Sequence, residues 1–147
     1  MKTIDALSQP NIDNHVAIGA GVTIVAAWQA AANQQDIERL IELSDPNIEV
    51  VGPRGAAYGH QILRDWMGRA GLTLETLRVF ARDQVVVVAQ HGVWRAVDTG
   101  AVNGEANLAS QFRVEDGRVV QFTRDDDLAI ALKEAGLTDA DEVRSGE

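Results

Sequence analysis

From Val85 to Val97 the chain reads VVVVAQHGVWRAV, and from Glu105 to Thr123 it reads EANLASQFRVEDGRVVQFT. These segments are either rich in valine or alternate between apolar and polar residues, which is typical of β-strands. Residues 73–82 have the same character, and Glu115-Asp116-Gly117 divides the second segment into strands at 105–114 and 118–123. Long strands joined by short turns predict an antiparallel meander, because parallel strands need much longer crossovers.

The residues before the meander have helical spacing. Predicted helices cover the almost wholly apolar segment 16–32, then 36–43 and 60–70, and a short hairpin lies between the last two. After the meander, Asp127 is a predicted N-cap and Gly136 a predicted stop for a final short helix. The sequence therefore predicts an α+β cone, in which three N-terminal helices close one face of a curved antiparallel sheet and leave a pocket between the layers.

The composition limits the class of protein. The 147 residues, 46% hydrophobic and 24% charged, predict one soluble domain over residues 16–137, with an N-terminal arm at 1–15 and an acidic tail at 138–147. With 13 basic and 22 acidic residues the net charge is −9, which argues against nucleic acid as a partner. The uncharged segment 16–32 is shorter than a membrane span of about 20 residues. We therefore expect no membrane partner and a cytoplasmic location.

Four short motifs resemble one family when they are taken in order. They are Trp28-(x)4-Asn33-Gln34-Gln35-Asp36, Ala57-Tyr58-Gly59-His60, FRVEDGRV at 112–119, and an ending that runs from Asp127-Leu128-Ala129 to Ala135-Gly136-Leu137. Over residues 20–137 the chain resembles the NTF2-like (cystatin-like) superfamily, in its SnoaL-like, ketosteroid-isomerase-like and limonene-epoxide-hydrolase-like branch. The resemblance implies a pocket for a small hydrophobic molecule and an isomerase, cyclase or hydrolase that needs no cofactor. The same fold also hosts proteins that only bind, so activity stays open.

Alternation along the strands predicts which residues face the helices. In the last two strands we expect the apolar phase to do so, and Arg124 and Asp126 to continue it toward the pocket rim; its members are Ala106, Leu108, Ser110, Phe112, Val114, Val120 and Phe122. The strand at 85–97 is apolar on both faces, and its resemblance to the hydrolase branch implies that Gln90 and Trp94 point inward and His91 outward. A register shift of one residue would instead turn His91 inward, where its imidazole could act as an acid or base near neutral pH.

The mechanisms of the resembling enzymes do not carry over to these residues. The resemblance places the carboxylate base of a ketosteroid-isomerase-like site at Gly52 and its hydroxyl donor at Trp28. It places an epoxide-hydrolase-like Asp-Arg-Asp relay at Gly92, Gln90 and Arg124. A glycine has no side chain that could accept a proton. An indole N–H can donate a hydrogen bond, but it is not an acidic phenol. The missing carboxylates at positions 52 and 92 favour a binding protein, whereas the general habits of the family that the chain resembles favour an enzyme.

Arg124, Asp126 and His91 remain as candidate catalytic residues. Arg124, if it faces the pocket, is a permanent positive charge in an apolar place and needs a partner. That partner is either Asp126, two residues along the chain, or a carboxylate or enolate oxygen of a ligand. The three histidines lack metal-ligand spacing, so we expect neither a metal nor a cofactor.

The candidate ligand-binding residues are mostly aromatic. Placed around one pocket mouth, they would form a flat apolar slot for a small hydrophobic molecule. They are Trp28, Tyr58, Trp66, Gln90, Trp94, Ser110, Phe112 and Phe122. Three functions stay open: a cofactor-independent enzyme, a non-catalytic protein that binds a hydrophobic ligand, and a homodimeric interaction module. The expected homodimer forms through the outer face of the sheet, with Val86, Val88 or their neighbours at the contact.

Overall fold

The computed structural model describes residues 9–52, 55–69 and 71–143. The elements in chain order are α1 (Gln9–Gln34), α2 (Ile37–Glu42), β1 (Ser44–Gly52), β2 (Gly55–Tyr58), α3 (His60–Arg69), β3 (Leu72–Arg82), β4 (Val85–Arg95), β5 (Val102–Glu115), β6 (Arg118–Asp125), α4 (Leu128–Ala135), a single 3₁₀ turn (Asp139–Asp141) and β7 (Glu142–Val143). The predicted α+β class is confirmed, with three helices before the meander and one short helix after it.

Helices begin and end where the sequence places capping residues. The side chain of Asp36 accepts a hydrogen bond from the backbone N–H of Arg39 at 3.2 Å, at the start of α2. Asp127 accepts from the N–H of Ile130 at 3.1 Å, and Gly136 follows α4 with a left-handed φ of 77°. Glycine adopts that φ without the steric cost of a Cβ. The predicted N-cap and stop of α4 are therefore confirmed.

The strands form one curved, unclosed sheet in the order β2-β1-β6-β5-β4-β3-β7. The predicted meander is confirmed, because β3 to β6 pair antiparallel in succession. The prediction of a wholly antiparallel sheet is wrong at one pair, since β1 lies parallel to β6. After the β1–β2 hairpin the chain passes through α3 to β3, which lies far from β1 in the sheet. The meander then runs back toward β1, and its last strand, β6, lies next to β1. Alternation within a strand carries no information about which strand edges meet.

The sheet has an inner face, which packs against the N-terminal helices, and an outer face, which packs against α4. On β4 the side chains of Val86 and Val88 belong to the inner core with Trp28, whereas Val87 packs with Ala131 of α4. Both faces of β4 are covered, in keeping with its continuous apolar run. Val86 and Val88 are 1% and 2% exposed, so the expectation that they form a dimer contact is wrong.

Regular secondary structure is found on both sides of residues 16–137. Helix α1 begins at Gln9, so residues 9–15 are helical, and residues 1–8 lie outside the described residues. At the other end, Leu137 is buried and Val143 pairs with β3. Arg78 donates two hydrogen bonds to the Glu142 carboxylate, at 3.1 and 3.0 Å. Glu142 and Val143 thus contact β3, and residues 144–147 lie outside the described residues.

None of the described helices combines the length and the apolar character that crossing a bilayer requires.

Candidate ligand-binding site

Aromatic rings fill the space between the helices and the inner face. Trp28 is fully buried, and its ring centre lies 6.1 Å from that of Trp66, 5.3 Å from Phe112 and 4.9 Å from Phe122. Phe112 and Phe122 are only 2% and 5% exposed. The structure therefore places Trp28, Phe112 and Phe122 in a close-packed core and not around the open pocket mouth that we expected.

The indole N–H of Trp28 already has an acceptor. It donates to Ser44 Oγ at 2.9 Å, and Ser44 Oγ donates to the carbonyl oxygen of Leu40 at 2.7 Å. Both bonds are buried, and together they join α1, α2 and the start of β1. An indole has a single N–H to donate. The resemblance assigns this position to the hydroxyl group that donates a hydrogen bond to the substrate. In this structure the N–H of Trp28 already donates its hydrogen bond within the fold.

A chain of polar side chains crosses the inner face. Ser110 Oγ donates to Gln90 Oε1 at 2.7 Å, and Gln90 Nε2 donates to Gln29 Oε1 at 2.6 Å. Gln29 Nε2 then donates to Thr76 Oγ1 at 2.8 Å. Gln90 and Ser110 are both fully buried. Sequence reasoning selected these two but missed Gln29, although a lone amide in an apolar helix is a signal, because a buried amide needs a polar partner.

Two tryptophans are only partly buried at the end of β4 nearest α3. Trp66 and Trp94 lie against a leucine cluster formed by Leu72, Leu74 and Leu108. A Cβ added at Gly92 would lie 3.1 Å from Leu108 Cδ2 and 3.2 Å from Leu72 Cδ1. The leucines thus occupy the space that an epoxide-hydrolase-like carboxylate would need at position 92. We call Trp66, Trp94 and the neighbouring Arg124 the rim.

Arg124 is the charged member of the rim. It pairs with Ser110 between β5 and β6, which places its side chain on the inner face, as predicted. Its guanidinium carbon lies 5.6 Å from the centre of the Trp94 ring, a distance typical of a cation–π contact. Among the described residues, no carboxylate lies within ion-pair distance of Arg124. The expected pair with Asp126 is therefore wrong.

Asp126 lies on the other side of the sheet. Strand β6 ends at Asp125 and the chain bends at the next residue, so the alternation that would keep Asp126 on the same face as Arg124 stops. Asp126 lines a groove of about 220 Å³ on the outer face, together with Ala89, Asn107 and Leu128. The structure does not bring Asp126 to the rim.

A family model for the SnoaL-like domain matches residues 25–122. This chain belongs to the SnoaL-like family. The predicted resemblance is confirmed, and the match covers the last part of α1, all of α2 and α3, the hairpin and most of the meander.

Solved structures share the fold of this SnoaL-like chain. Bal32a, from a soil-derived mobile gene cassette, has a TM-score of 0.66 and 22% identity, covering 80% of this chain and 97% of its own. TerC, co-crystallised with polyporic acid, has a TM-score of 0.65 and 18% identity, covering 78% and 96%. An LEH-like epoxide hydrolase from M. tuberculosis has a TM-score of 0.63 and 16% identity, covering 79% and 89%. No protein with a curated description matches significantly in sequence.

In this SnoaL-like protein His91 lies on the outer face. Its Nδ1 is 3.0 Å from Asn107 Oδ1, and its Nε2 is 2.9 Å from Glu105 Oε1. Hydrogen bonds to Asn107 and Glu105 hold the pKa of His91 above its ordinary value, because they favour the charged imidazolium. The predicted outward orientation is confirmed and the shifted register is wrong. His91 is therefore separated from the rim by the sheet.

Tyr58 also lies away from the rim. It is 64% exposed on the outer face, where its hydroxyl donates to Glu49 Oε2 at 3.2 Å. The expectation that Tyr58 shares one pocket mouth with the three tryptophans is wrong, because the register of β2 on β1 turns it to the opposite face. Among the described residues, no group of three histidine or acidic side chains could hold a metal ion.

Proposed function

We propose that this SnoaL-like protein binds a small, flat, apolar molecule at the rim and does not transform it by acid–base chemistry. The observation that carries the proposal is the pair of partly exposed tryptophans, Trp66 and Trp94, on a base of leucines. Small-molecule sites use such aromatic and aliphatic walls with a few polar groups that fix orientation. The shared fold of TerC, co-crystallised with polyporic acid, and of an LEH-like epoxide hydrolase supports a small-molecule ligand.

The inner face offers no group for proton transfer in its described part. Arg124 is the one ionisable side chain among the strand residues described there, and Gly52 and Gly92 stand where the related enzymes need carboxylates. General acid–base catalysis requires a titratable side chain within hydrogen-bond reach of the reacting atom. An isomerase, cyclase or hydrolase of the related kind would lack its base. This favours binding over the catalytic alternative.

Thermal unfolding in the presence of ring compounds tests the binding proposal. The compounds are an aromatic ketone, an aromatic epoxide and an aromatic carboxylate, because a ligand that binds only the folded state raises the unfolding midpoint. We expect at least one of them to raise the midpoint of the native protein and of Tyr58→Ala, whose exposed ring lies on the outer face. Trp94→Ala should lose the shift. Shifts of equal size in Trp94→Ala, or no shift in any variant, would refute the proposal.

The catalytic alternative is tested on the compounds that bind. We expect a bound ketone or epoxide to be recovered unchanged after incubation with excess protein. Conversion that Trp94→Ala abolishes would establish an enzyme and overturn the non-catalytic half of the proposal.

We also propose self-association through the outer face. Leu77 supports it, because this apolar side chain is 51% exposed at a β-bulge and borders the outer groove. Sedimentation velocity should show a dimer for the native chain and a monomer for Leu77→Asp. The control is Val97→Asp, which changes a residue that is 69% exposed in the β4–β5 turn and should remain dimeric. A monomeric native chain would rule this interface out.

A further inference from the structure

The arginines of the described chain differ in what they contact. Arg78 donates two hydrogen bonds to Glu142, and Arg113 donates to Glu115 at 2.8 Å. Among the arginines whose exposure the structure describes, Arg124 alone is not largely exposed, and its guanidinium donates no hydrogen bond to any described protein atom. Arg118, on the same strand, also lacks a protein acceptor but is exposed to water.

A partly buried guanidinium without acceptors is unfavourable, because it has lost part of its hydration and gained no hydrogen bonds in exchange. The contact with the Trp94 ring compensates a part of that loss. The ring lies on one side of the guanidinium carbon, and the N–H donors of any guanidinium lie in the plane of the group. Those in-plane donors match the two oxygens of a carboxylate, or a single enolate or phenolate oxygen.

The other charged groups near Arg124 do not satisfy it. Asp125 faces outward, where its Oδ2 accepts a hydrogen bond from Gln111 at 2.7 Å, and Asp126 lines the outer groove. Ser110, opposite Arg124 on β5, directs its hydroxyl hydrogen to Gln90. No described residue of the elements around Arg124 supplies a negative charge on the inner face.

We infer that the ligand of the rim is an aromatic or alicyclic anion, whose carboxylate, enolate or phenolate oxygen binds Arg124 while its ring packs on the tryptophans. This rests on the proposed function, because it concerns the ligand of the same site. An opposite charge within about 4–6 Å favours the ionised form of an acid. The rim therefore binds the anion of an ionisable ligand in preference to its neutral form.

The test compares probes of one shape and different charge. The probes are 2-naphthoate, neutral 2-naphthamide and cationic 2-naphthylmethylammonium, titrated into the full chain and followed by tryptophan fluorescence and calorimetry. We expect naphthoate to bind at least about tenfold more tightly than naphthamide, and the ammonium compound not to bind. We expect Arg124→Gln to bind 2-naphthoate and 2-naphthamide with equal affinity. Arg118→Gln is the matched control and should retain the full preference.

The outcomes distinguish the inference that the ligand is an anion from the proposed function, which is binding at the rim. If naphthoate and naphthamide bind the native protein equally well, the inference fails and the proposed function stands. If none of the probes binds, the proposed function and the inference fail together. If Arg124→Gln retains the preference for naphthoate, the anion binds elsewhere and the inference fails. Arg124→Lys is measured as well, because Arg124→Gln could alter the fold. We expect Arg124→Lys to prefer the anion less strongly than the native protein does, since lysine keeps the positive charge but lacks the planar pair of N–H donors that arginine presents to a carboxylate.

Discussion

Trp28 illustrates how one side chain can fit a family position and still lack the family chemistry. Its ring is the centre of the inner aromatic core, and its N–H is bound to Ser44 Oγ. The hydroxyl of Ser44 is in turn bound to Leu40. The three residues fix α1 against α2 and β1, so their contribution is to stability.

Ser44→Ala tests this structural role. The substitution leaves the buried Trp28 N–H without an acceptor, and we expect the free energy of unfolding to fall by about 1–3 kcal/mol. Urea denaturation of the native and variant proteins measures the difference. In a Trp28→Phe background, where no N–H needs an acceptor, the same serine substitution should cost less. Equal costs in the two backgrounds would contradict the role of the hydrogen bond.

His91 makes folding stability depend on pH. Its hydrogen bonds to Asn107 and Glu105 raise the pKa of the imidazole, and Glu75 on β3 adds a further favourable negative charge. Since the folded pKa exceeds the unfolded one, folding favours the protonated ring. That contribution is complete below about pH 6.5, the ordinary histidine value, and it is lost as the pH rises through the folded pKa.

His91→Gln should therefore lose stability relative to the native protein at low pH and match it more closely at high pH. Urea denaturation at a series of values from about pH 5.5 to 8.5 measures the difference in unfolding free energy. Glu105→Gln, which removes one of the partners that favour the charged ring, should reduce this pH dependence. A native–variant difference that stays constant across the range would show that His91 does not titrate as described.

At the scale of elements, Asn33 protects an edge of the sheet. Its Nδ2 donates to the carbonyl oxygen of Leu74 at 2.8 Å, and its Oδ1 accepts from the Leu74 N–H at 2.8 Å. The side-chain amide thus replaces a neighbouring strand on the first half of β3, while β7 covers Val79 and Phe80 on the second half. Exposed edges are the places where sheets pair with other chains.

Asn33→Ala should expose this edge. We expect a loss of about 1–3 kcal/mol in the free energy of unfolding, because two hydrogen bonds to the backbone of β3 disappear. Gln34→Ala is the matched control, since Gln34 is the exposed next residue of α1, and it should change stability by less than about 0.5 kcal/mol. Thermal denaturation of the three proteins measures both effects. Similar losses in the two variants would point to α1 itself and not to the edge.

The sequence predicts elements better than it predicts their neighbours. Alternation correctly placed Ser110 and Arg124 on the inner face, because it holds throughout an uninterrupted strand. It failed at Asp126, where the strand has ended and the chain bends. It could not reveal that Tyr58 faces outward or that β1 lies parallel to β6, because both depend on pairings between segments far apart in the chain.

Dependence on contacts between distant segments also explains why the sequence predicted the candidate site only in part. The sequence indicated aromatic residues and a lone arginine, but whether rings surround a pocket or fill a core depends on how closely α1 approaches the sheet. The close packing of Trp28 on Phe112 and Phe122 is such a tertiary property. What the structure adds is therefore the division between buried rings and the partly exposed rim.

For the whole molecule, charge is distributed unequally between the two faces. The net charge is −9, whereas the described strand residues of the inner face carry one charge, the positive guanidinium of Arg124. An anion that approaches the rim is repelled at long range by the molecule and attracted at short range by one group. The two effects respond differently to salt, because screening removes interactions across more than a Debye length and affects a partly buried contact less.

Salt should therefore accelerate the binding of an anion to this protein. The Debye length falls from about 30 Å at 0.01 M salt to about 8 Å at 0.15 M, so the repulsion from the net negative charge is largely removed while the contact with Arg124 persists. We expect the association rate constant of 2-naphthoate to rise about two- to fivefold over this range, measured by stopped-flow tryptophan fluorescence. Neutral 2-naphthamide should associate at a constant rate. A rate for naphthoate that falls with salt would mean that attraction to Arg124 already dominates at long range, and that the acidic surface does not oppose the approach of the ligand.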